Sequence, residues 1–239
     1  MVRVILIKVG YSNAYLVSEN GKWLMVDTGL TNKQKIIQSK FNQLGISAED
    51  LSLIIVTHAH YDHVGNLRWV REASNAPVIV HESEKIILEQ GIKTVPDGTN
   101  NLAGFLSRLG KLFYPKKMFD SVEPDITLNE VMSLKDFGFS AVLIPTPGHT
   151  TGSISLLFGS GETFTGDTCF RFLGSKSVFP IFANDIPTLL KSWETLLNSE
   201  ARIFYPGHGK PFDKETLKAS YDQQKNKIFY EVTGTRDFG

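Results

Sequence analysis

The chain contains a single cysteine, Cys169, among its 239 residues, so no disulfide bond can form within it. This composition fits a reducing compartment, and we expect a cytoplasmic protein. The chain also lacks an uncharged apolar run of about 18 residues, so no membrane-spanning helix is predicted. The apolar start at residues 1–9 is too short and too interrupted for a signal peptide, and it predicts a first strand instead.

Net charge is absent as well, because 25 Lys and Arg residues balance 25 Asp and Glu residues. A neutral chain gives no electrostatic basis for broad binding of nucleic acid or of a membrane surface, so a small-molecule substrate is the expected partner. Neither a low-complexity linker nor a clear repeat of about 20–50 residues is found. We therefore expect residues 1–239 to form one domain, since this length is normal for a large α/β fold.

Apolar patterning predicts a chain rich in strands at both ends and helical in the middle. Short apolar runs bounded by Gly, Pro or Asn predict strands at 2–9, 13–17, 22–27, 51–56, 78–80, 127–131, 139–144, 154–158, 162–165 and 201–205. Helical spacing predicts helices at 32–44, 66–73, 82–89, 102–113, 187–197 and 216–230. Residues 82–121 thus form a predicted helical insertion, which would either pack on the surface or act as a lid or wall of a substrate site.

The densest group of polar side chains follows the predicted buried strand 51–56. There the segment His58-Ala59-His60-Tyr61-Asp62-His63 places four potential metal ligands in six positions. Imidazole and carboxylate are ligands that suit zinc, iron and manganese. Since the chain has only six histidines, a chance cluster is a poor explanation, and the segment predicts a metal site on a loop at a strand end.

Three further ligand-type residues each come behind a glycine, just after a predicted strand. They are His149 in Pro147-Gly148-His149-Thr150, Asp167 in Thr165-Gly166-Asp167-Thr168 and His208 in Pro206-Gly207-His208-Gly209. Glycine allows the sharp turns and close approaches that converging ligands need. Any one of these residues alone would be explained as a hydrogen-bonded loop residue. Together with the cluster they predict one site that accounts for five of the six histidines and leaves out His81.

This set of motifs, together with Asp27-Thr28-Gly29, resembles the metallo-β-lactamase superfamily over residues of about 2 to 215. The resemblance implies an α/β (α+β) fold, a four-layer αβ/βα sandwich of two mixed β-sheets with helices outside. It also implies two divalent metal ions, with zinc expected first and iron or manganese as alternatives. Asp27 would either orient a ligand or serve as a simple turn residue.

The same resemblance implies a role for each ligand. His58, His60 and His149 would hold the first metal, while Asp62, His63 and His208 would hold the second and Asp167 would bridge both. A hydroxide between the metals would attack a carbonyl carbon. Asp62 would also act catalytically, by orienting this hydroxide and accepting its proton.

The identity of the bridging ligand narrows the expected reaction. β-Lactamases of this superfamily carry cysteine or another arrangement where this chain has Asp167, so we expect β-lactam cleavage to be absent or incidental. Only 31 residues follow His208, too few for the glutathione-binding domain of glyoxalase II. A small carbonyl ester, lactone or thioester is therefore the expected substrate. The alternatives are a mono-iron oxidoreductase similar to persulfide dioxygenases, and a phosphodiesterase or nuclease.

Several residues keep two interpretations at this stage. The aromatic candidates for a substrate pocket, which could equally be ordinary core or surface residues, are Phe105, Phe113, Tyr114, Phe170, Phe172 and Phe179. Cys169, two residues beyond Asp167, would either pack or tune the metal site. In lactonase-like relatives a helical insertion walls the pocket or makes a dimer, so a homodimer is left open.

Overall fold

The computed structural model describes residues 1–92, 94–113, 117–171 and 174–233, of which 228–233 are described by their backbone alone. Six strands form a first sheet in chain order: β1 (Arg3–Val9), β2 (Ser12–Glu19), β3 (Lys22–Val26), β4 (Leu51–Ile55), β5 (Val78–His81) and β6 (Ile126–Leu128). The first three strands are antiparallel, and β3 to β6 are parallel. The sheet is therefore mixed.

A second six-stranded sheet is built from the later strands: β7 (Met132–Ser133), β8 (Ala141–Pro145), β9 (Ile154–Phe158), β10 (Glu162–Gly166), β11 (Ile203–Pro206) and β12 (Phe212–Asp213). Its neighbours are antiparallel except for the parallel pair of β10 and β11. The helices of the described chain are α1 (Gln34–Leu44), α2 (Tyr61–Val64), α3 (Leu67–Ser74), α4 (Lys85–Gln90), α5 (Asn101–Phe113), α6 (Ile186–Asn198) and α7 (Lys214–Thr233).

Alternating apolar side chains order these elements into four layers. In β3, Leu24 and Val26 face the second sheet, whereas Met25 between them packs with α1. In β9, Leu156 belongs to the core between the sheets, and Leu157 packs with α6. Because strand side chains alternate between faces, each sheet buries two apolar surfaces. The order is helices, sheet, sheet, helices, so the predicted αβ/βα sandwich of two mixed sheets is confirmed.

The predicted strand at 127–131 is correct only at residues 127 and 128, because the chain changes sheets after them. β6 ends at Leu128 in the first sheet, and β7 begins at Met132 in the second. Asn129 and Glu130, which are poor strand formers, occupy the crossing, and Val131 is 64% exposed. The periodicity of the sequence cannot reveal that a chain passes from one sheet to another when the segments on both sides are extended.

The helix α5 within the predicted insertion turns its small residues inward. Ala103, Ser107 and Gly110 are buried, whereas the large apolar residues of the predicted stripe are exposed: Leu102, Phe105, Leu106, Leu109, Leu112 and Phe113. The spacing predicts the helix correctly, but it does not tell which face packs. None of the described helices is long and apolar enough to cross a membrane.

Candidate metal centre

Three histidine nitrogens converge at one edge of the sandwich. His58 and His60 lie on the loop after β4, and His149 lies on the loop after β8. His58 Nε2 is 2.9 Å from His60 Nδ1, and His149 Nε2 is 3.0 Å from the same nitrogen. We call this set the three-histidine group.

A second set of ligand atoms lies beside it, and we call it the mixed group. Asp62 and His63 lie on the short helix α2, and His208 lies after β11. His208 Nε2 is 3.3 Å from Asp62 Oδ2 and 3.4 Å from His63 Nε2. The close approach depends on Gly207, since a Cβ there would stand 2.3 Å from Asp167 Oδ1.

Asp167 stands between the two groups, just after β10. Its Oδ1 is 3.4 Å from His63 Nε2, and its Oδ2 is 3.4 Å from His208 Nε2 and 3.7 Å from His149 Nε2. The structure thus brings together all seven residues predicted as ligands. None of them is more than 8% exposed.

Hydrogen bonds at the far side of the rings aim lone pairs into the site. His149 Nδ1 donates to the Phe182 carbonyl at 2.8 Å, and His208 Nδ1 donates to the Tyr11 carbonyl at 3.1 Å. A carbonyl only accepts, so each of these rings carries a proton on Nδ1 and turns Nε2 toward the site, where Nε2 can bind a cation once it carries no proton. Such outer contacts are typical of metal-binding histidines.

Asp27 organises the mixed group and the start of the histidine segment. Its Oδ2 accepts from His63 Nδ1 at 2.8 Å and from Thr57 Oγ1 at 2.7 Å, while its Oδ1 accepts from Thr57 N at 2.8 Å. Thr57 Oγ1 lies 3.1 Å from His58 Nδ1. Asp27 is therefore more than a turn residue, although its φ of +54° also makes the turn.

The donor set fits divalent cations better than it fits internal hydrogen bonding. Nitrogens of His58 and His149 lie 2.9 and 3.0 Å from His60 Nδ1, distances at which lone pairs repel unless a cation or a proton lies between them. Asp167 Oδ1 is buried with no hydrogen-bond partner among the described residues. Buried polar atoms are rarely left unpaired, so these atoms fit a candidate ligand site.

The two groups differ in protonation. Burial lowers the pKa of each member of the three-histidine group, and that of His60 to about 3. In the mixed group, burial lowers the pKa of His63 and His208, but the Asp167 carboxylate raises both, His208 to about 9. Burial would raise the pKa of Asp167, yet His208 and His63 hold it well below its usual value. The first group is neutral, whereas the second is a cluster of opposite charges.

Sequence reasoning missed a buried carboxylate beside the three-histidine group. Glu84 is 2% exposed and accepts from the backbone of Ala59 and Gly152. Glu82, two residues before it, is exposed. From the sequence, Glu82 and Glu84 are equally plausible acidic residues at the start of a helix. No sequence signal separated the two.

The predicted pocket aromatics have different fates. Phe170 stacks on His208 with ring centroids 4.6 Å apart, whereas Phe179 packs against Trp193 on α6. Phe105 and Phe113 are exposed on α5, and Tyr114 and Phe172 lie outside the described residues. Only Phe170 of the four described candidates contacts a ligand ring.

Cys169 and His81 lie outside the ligand set. Cys169 is fully buried in the core between the second sheet and α6, and burial raises the pKa of its thiol. This supports the packing interpretation, since a protonated thiol is a poor ligand and nucleophile. His81 Nδ1 accepts from Ser83 N–H at 3.1 Å, as a turn-capping residue would.

The predicted insertion is hydrogen-bonded to the segment that orients His149. Thr99 N donates to the Ile181 carbonyl and Ala183 N donates to the Asp97 carbonyl, both at 2.9 Å. Phe182, which lies between them in the chain, supplies the carbonyl that holds the His149 ring. The loop before α5 is therefore linked to the predicted ligand His149 through the segment 181–183.

Comparisons with known proteins agree on one family. The model of the metallo-β-lactamase superfamily matches residues 7–208. The chain is 32% identical over 211 residues to a probable metallo-hydrolase of Methanocaldococcus jannaschii, covering 86% of this chain and 91% of that protein. It is 33% identical over 207 residues to a probable metallo-hydrolase of Streptococcus pyogenes serotype M6, covering 84% of this chain and 79% of that protein.

Solved structures show the same fold. A metallo-β-lactamase superfamily protein from Sulfolobus tokodaii aligns with a TM-score of 0.68 at 23% identity, over 99% of this chain and 90% of that chain. The BLEG-1 B3 metallo-β-lactamase aligns with a TM-score of 0.68 at 23% identity, over 92% of this chain and 97% of that chain. At such identities the likeness concerns the fold and not the reaction.

Proposed function

Because the chain belongs to the metallo-β-lactamase superfamily and its curated relatives include probable metallo-hydrolases, we propose that it cleaves a small carbonyl ester, lactone or thioester with two divalent metal ions. The observation that carries the proposal is the pair of ligand groups joined by one aspartate. Three ligand atoms on each side, with a carboxylate between them, are the donor set that a two-metal hydrolase needs.

Each group would hold one ion. His58, His60 and His149 would bind the first, Asp62, His63 and His208 the second, and Asp167 would contact both. Zinc is the first expectation and iron or manganese are the alternatives, since imidazole and carboxylate serve all three. Bound ions supply Lewis acidity, and they lower the pKa of water so that a hydroxide nucleophile is available near neutral pH.

The chain's own residues prepare the site for this chemistry. Asp62 has an oxygen 3.3 Å from His208 Nε2, so its carboxylate is positioned at the ligand atoms, where it can orient a water and accept its proton. Phe170 and Tyr11 stack on the His208 ring and shield it from solvent. Burial of the ligands strengthens every electrostatic interaction inside the site.

The test combines metal analysis with a substrate screen. We expect two metal ions per chain, and hydrolysis of lactones, thioesters or esters that a chelator abolishes and added zinc restores. A phosphodiester and a β-lactam complete the panel. One iron per chain without a second metal would contradict the two-metal proposal in favour of the redox alternative. Cleavage of the phosphodiester alone would favour the nuclease alternative.

Three further expectations stay predictions. They are a small-molecule partner with nucleic acid disfavoured, a cytoplasmic location and a homodimer. Size-exclusion chromatography with light scattering tests the homodimer directly.

A further inference from the structure

Glu84 carries a carboxylate at a buried position. It ends the 3₁₀ turn Glu82–Glu84, which follows β5, and it is 2% exposed. Among the described residues it makes no salt bridge, and the neighbouring Lys85 pairs with Glu89 instead. Burying a charge without a cationic partner costs free energy, so hydrogen bonds have to compensate for the burial of this carboxylate.

The contacts of Glu84 join two loops of the three-histidine group. Its Oε2 accepts from Ala59 N at 3.0 Å, and its Oε1 accepts from Gly152 N at 3.2 Å. Ala59 stands between His58 and His60, and Gly152 stands three residues after His149. One side chain therefore links the backbone that carries all three ligands of this group.

The contact with Glu84 requires a glycine at position 152. A Cβ at position 152 would stand 2.5 Å from Glu84 Cγ, which is closer than real Cβ atoms come. The backbone of Gly152 is not in the left-handed region, so the lack of a side chain serves the contact and not the turn. Glu84 and Gly152 together form the contact that joins the two loops.

We propose that Glu84 is the positioning residue of the three-histidine group: its buried carboxylate fixes the loops of His58, His60 and His149 and strengthens that group's hold on its cation. The inference rests on the metal binding proposed above. The group's own ligands are neutral imidazoles, and Asp167 is 3.7 Å from His149. A second negative charge behind the loops adds attraction for a cation in a medium of low dielectric.

The test uses zinc affinity measured without any substrate. Glu84→Gln keeps the shape but sets an amide N–H₂ against one of the two backbone donors. Gly152→Ala displaces the carboxylate and leaves Glu84 in place. The matched control is Glu82→Gln, at an exposed position two residues away. Zinc-free protein is titrated with zinc against a chromophoric chelator. The variants His149→Ala and His208→Ala identify which equivalent belongs to which group.

We expect Glu84→Gln and Gly152→Ala each to weaken the equivalent lost in His149→Ala by about 10- to 100-fold and to leave the other near wild type. The cobalt(II) spectrum of the same equivalent should change, while Glu82→Gln behaves as wild type. Wild-type zinc affinity in both variants would overturn the proposal. So would equal weakening of both equivalents together with a lower unfolding temperature of the zinc-free protein, since that is a merely structural role. Zinc binding without hydrolysis would count against the hydrolase proposal alone.

Discussion

The two ligand groups lie side by side but are prepared for a cation in opposite ways. The three-histidine group is made of neutral imidazoles whose pKa values burial has lowered. The mixed group stores opposite charges, with protonated His208 between Asp62 and Asp167 and protonated His63 between Asp27 and Asp167. A cation can enter the first group directly, whereas in the second it must displace protons. The difference teaches that burial alone keeps histidines free of protons, whereas carboxylates beside them hold protons that a cation has to displace.

The largest expected effect comes from removing the residue that joins the groups. Asp167→Ala should weaken zinc binding at both groups and lower hydrolysis by at least the roughly 100-fold that changes just outside a metal site can cost. Metal content and kcat/KM are measured beside Asp136→Ala, an exposed control on a turn. Full activity with two ions retained would refute the bridging assignment.

A selective effect is expected at Asp27. Asn tolerates the left-handed backbone there, so Asp27→Asn changes the contacts and not the turn. Since Asp27 orients the His63 ring, we expect zinc affinity to fall about 10- to 100-fold at the mixed group and much less at the three-histidine group. Competition titration resolves the two equivalents, and an equal loss at both would contradict this division of labour.

The pH dependence of zinc binding should separate the groups further. With a pKa of about 9, His208 carries a proton below that pH, and this proton must leave when a cation binds. Zinc affinity of the mixed group should therefore rise with pH up to about 9, by about tenfold per pH unit for each proton displaced. The three-histidine group should be flat between pH 6 and 9, because His60 has a pKa of about 3. Titrations at pH 6, 7.5 and 9 measure how the zinc affinity of each group changes with pH. The same change in both groups would contradict the proposed difference in protonation.

The smallest effect is expected at the sixth histidine. His81→Ala loses one turn contact to Ser83 N and should change the free energy of unfolding by about 0.5 kcal/mol or less. Metal content should stay at the wild-type value. Thermal unfolding and metal analysis test this together, and a large loss of metal would show that the ligand set is misassigned.

Much of the fold followed from local pattern. The apolar runs at 22–27 and 51–56 predicted strands whose bounds agree with β3 and β4 within a few residues. The failures came where packing decided the outcome. At Asn129 and Glu130 the chain passes between sheets, and on α5 the small face is buried instead of the large apolar one. The division of the chain into one domain with an insertion stays a prediction.

The ligand set could be predicted from the sequence because metal ligands come from few residue types, and here they follow predicted strands. Five of six histidines and two aspartates sit in short glycine-flanked motifs, and such motifs survive any uncertainty about packing. By itself, the sequence determined the family, the layered fold and which side chains meet. Only the tertiary structure decided how they are held. Asp27 and Glu84 contact groups 25 to 68 residues away in the chain. The burial that shifts the pKa values of the ligands exists only once both sheets close on the site.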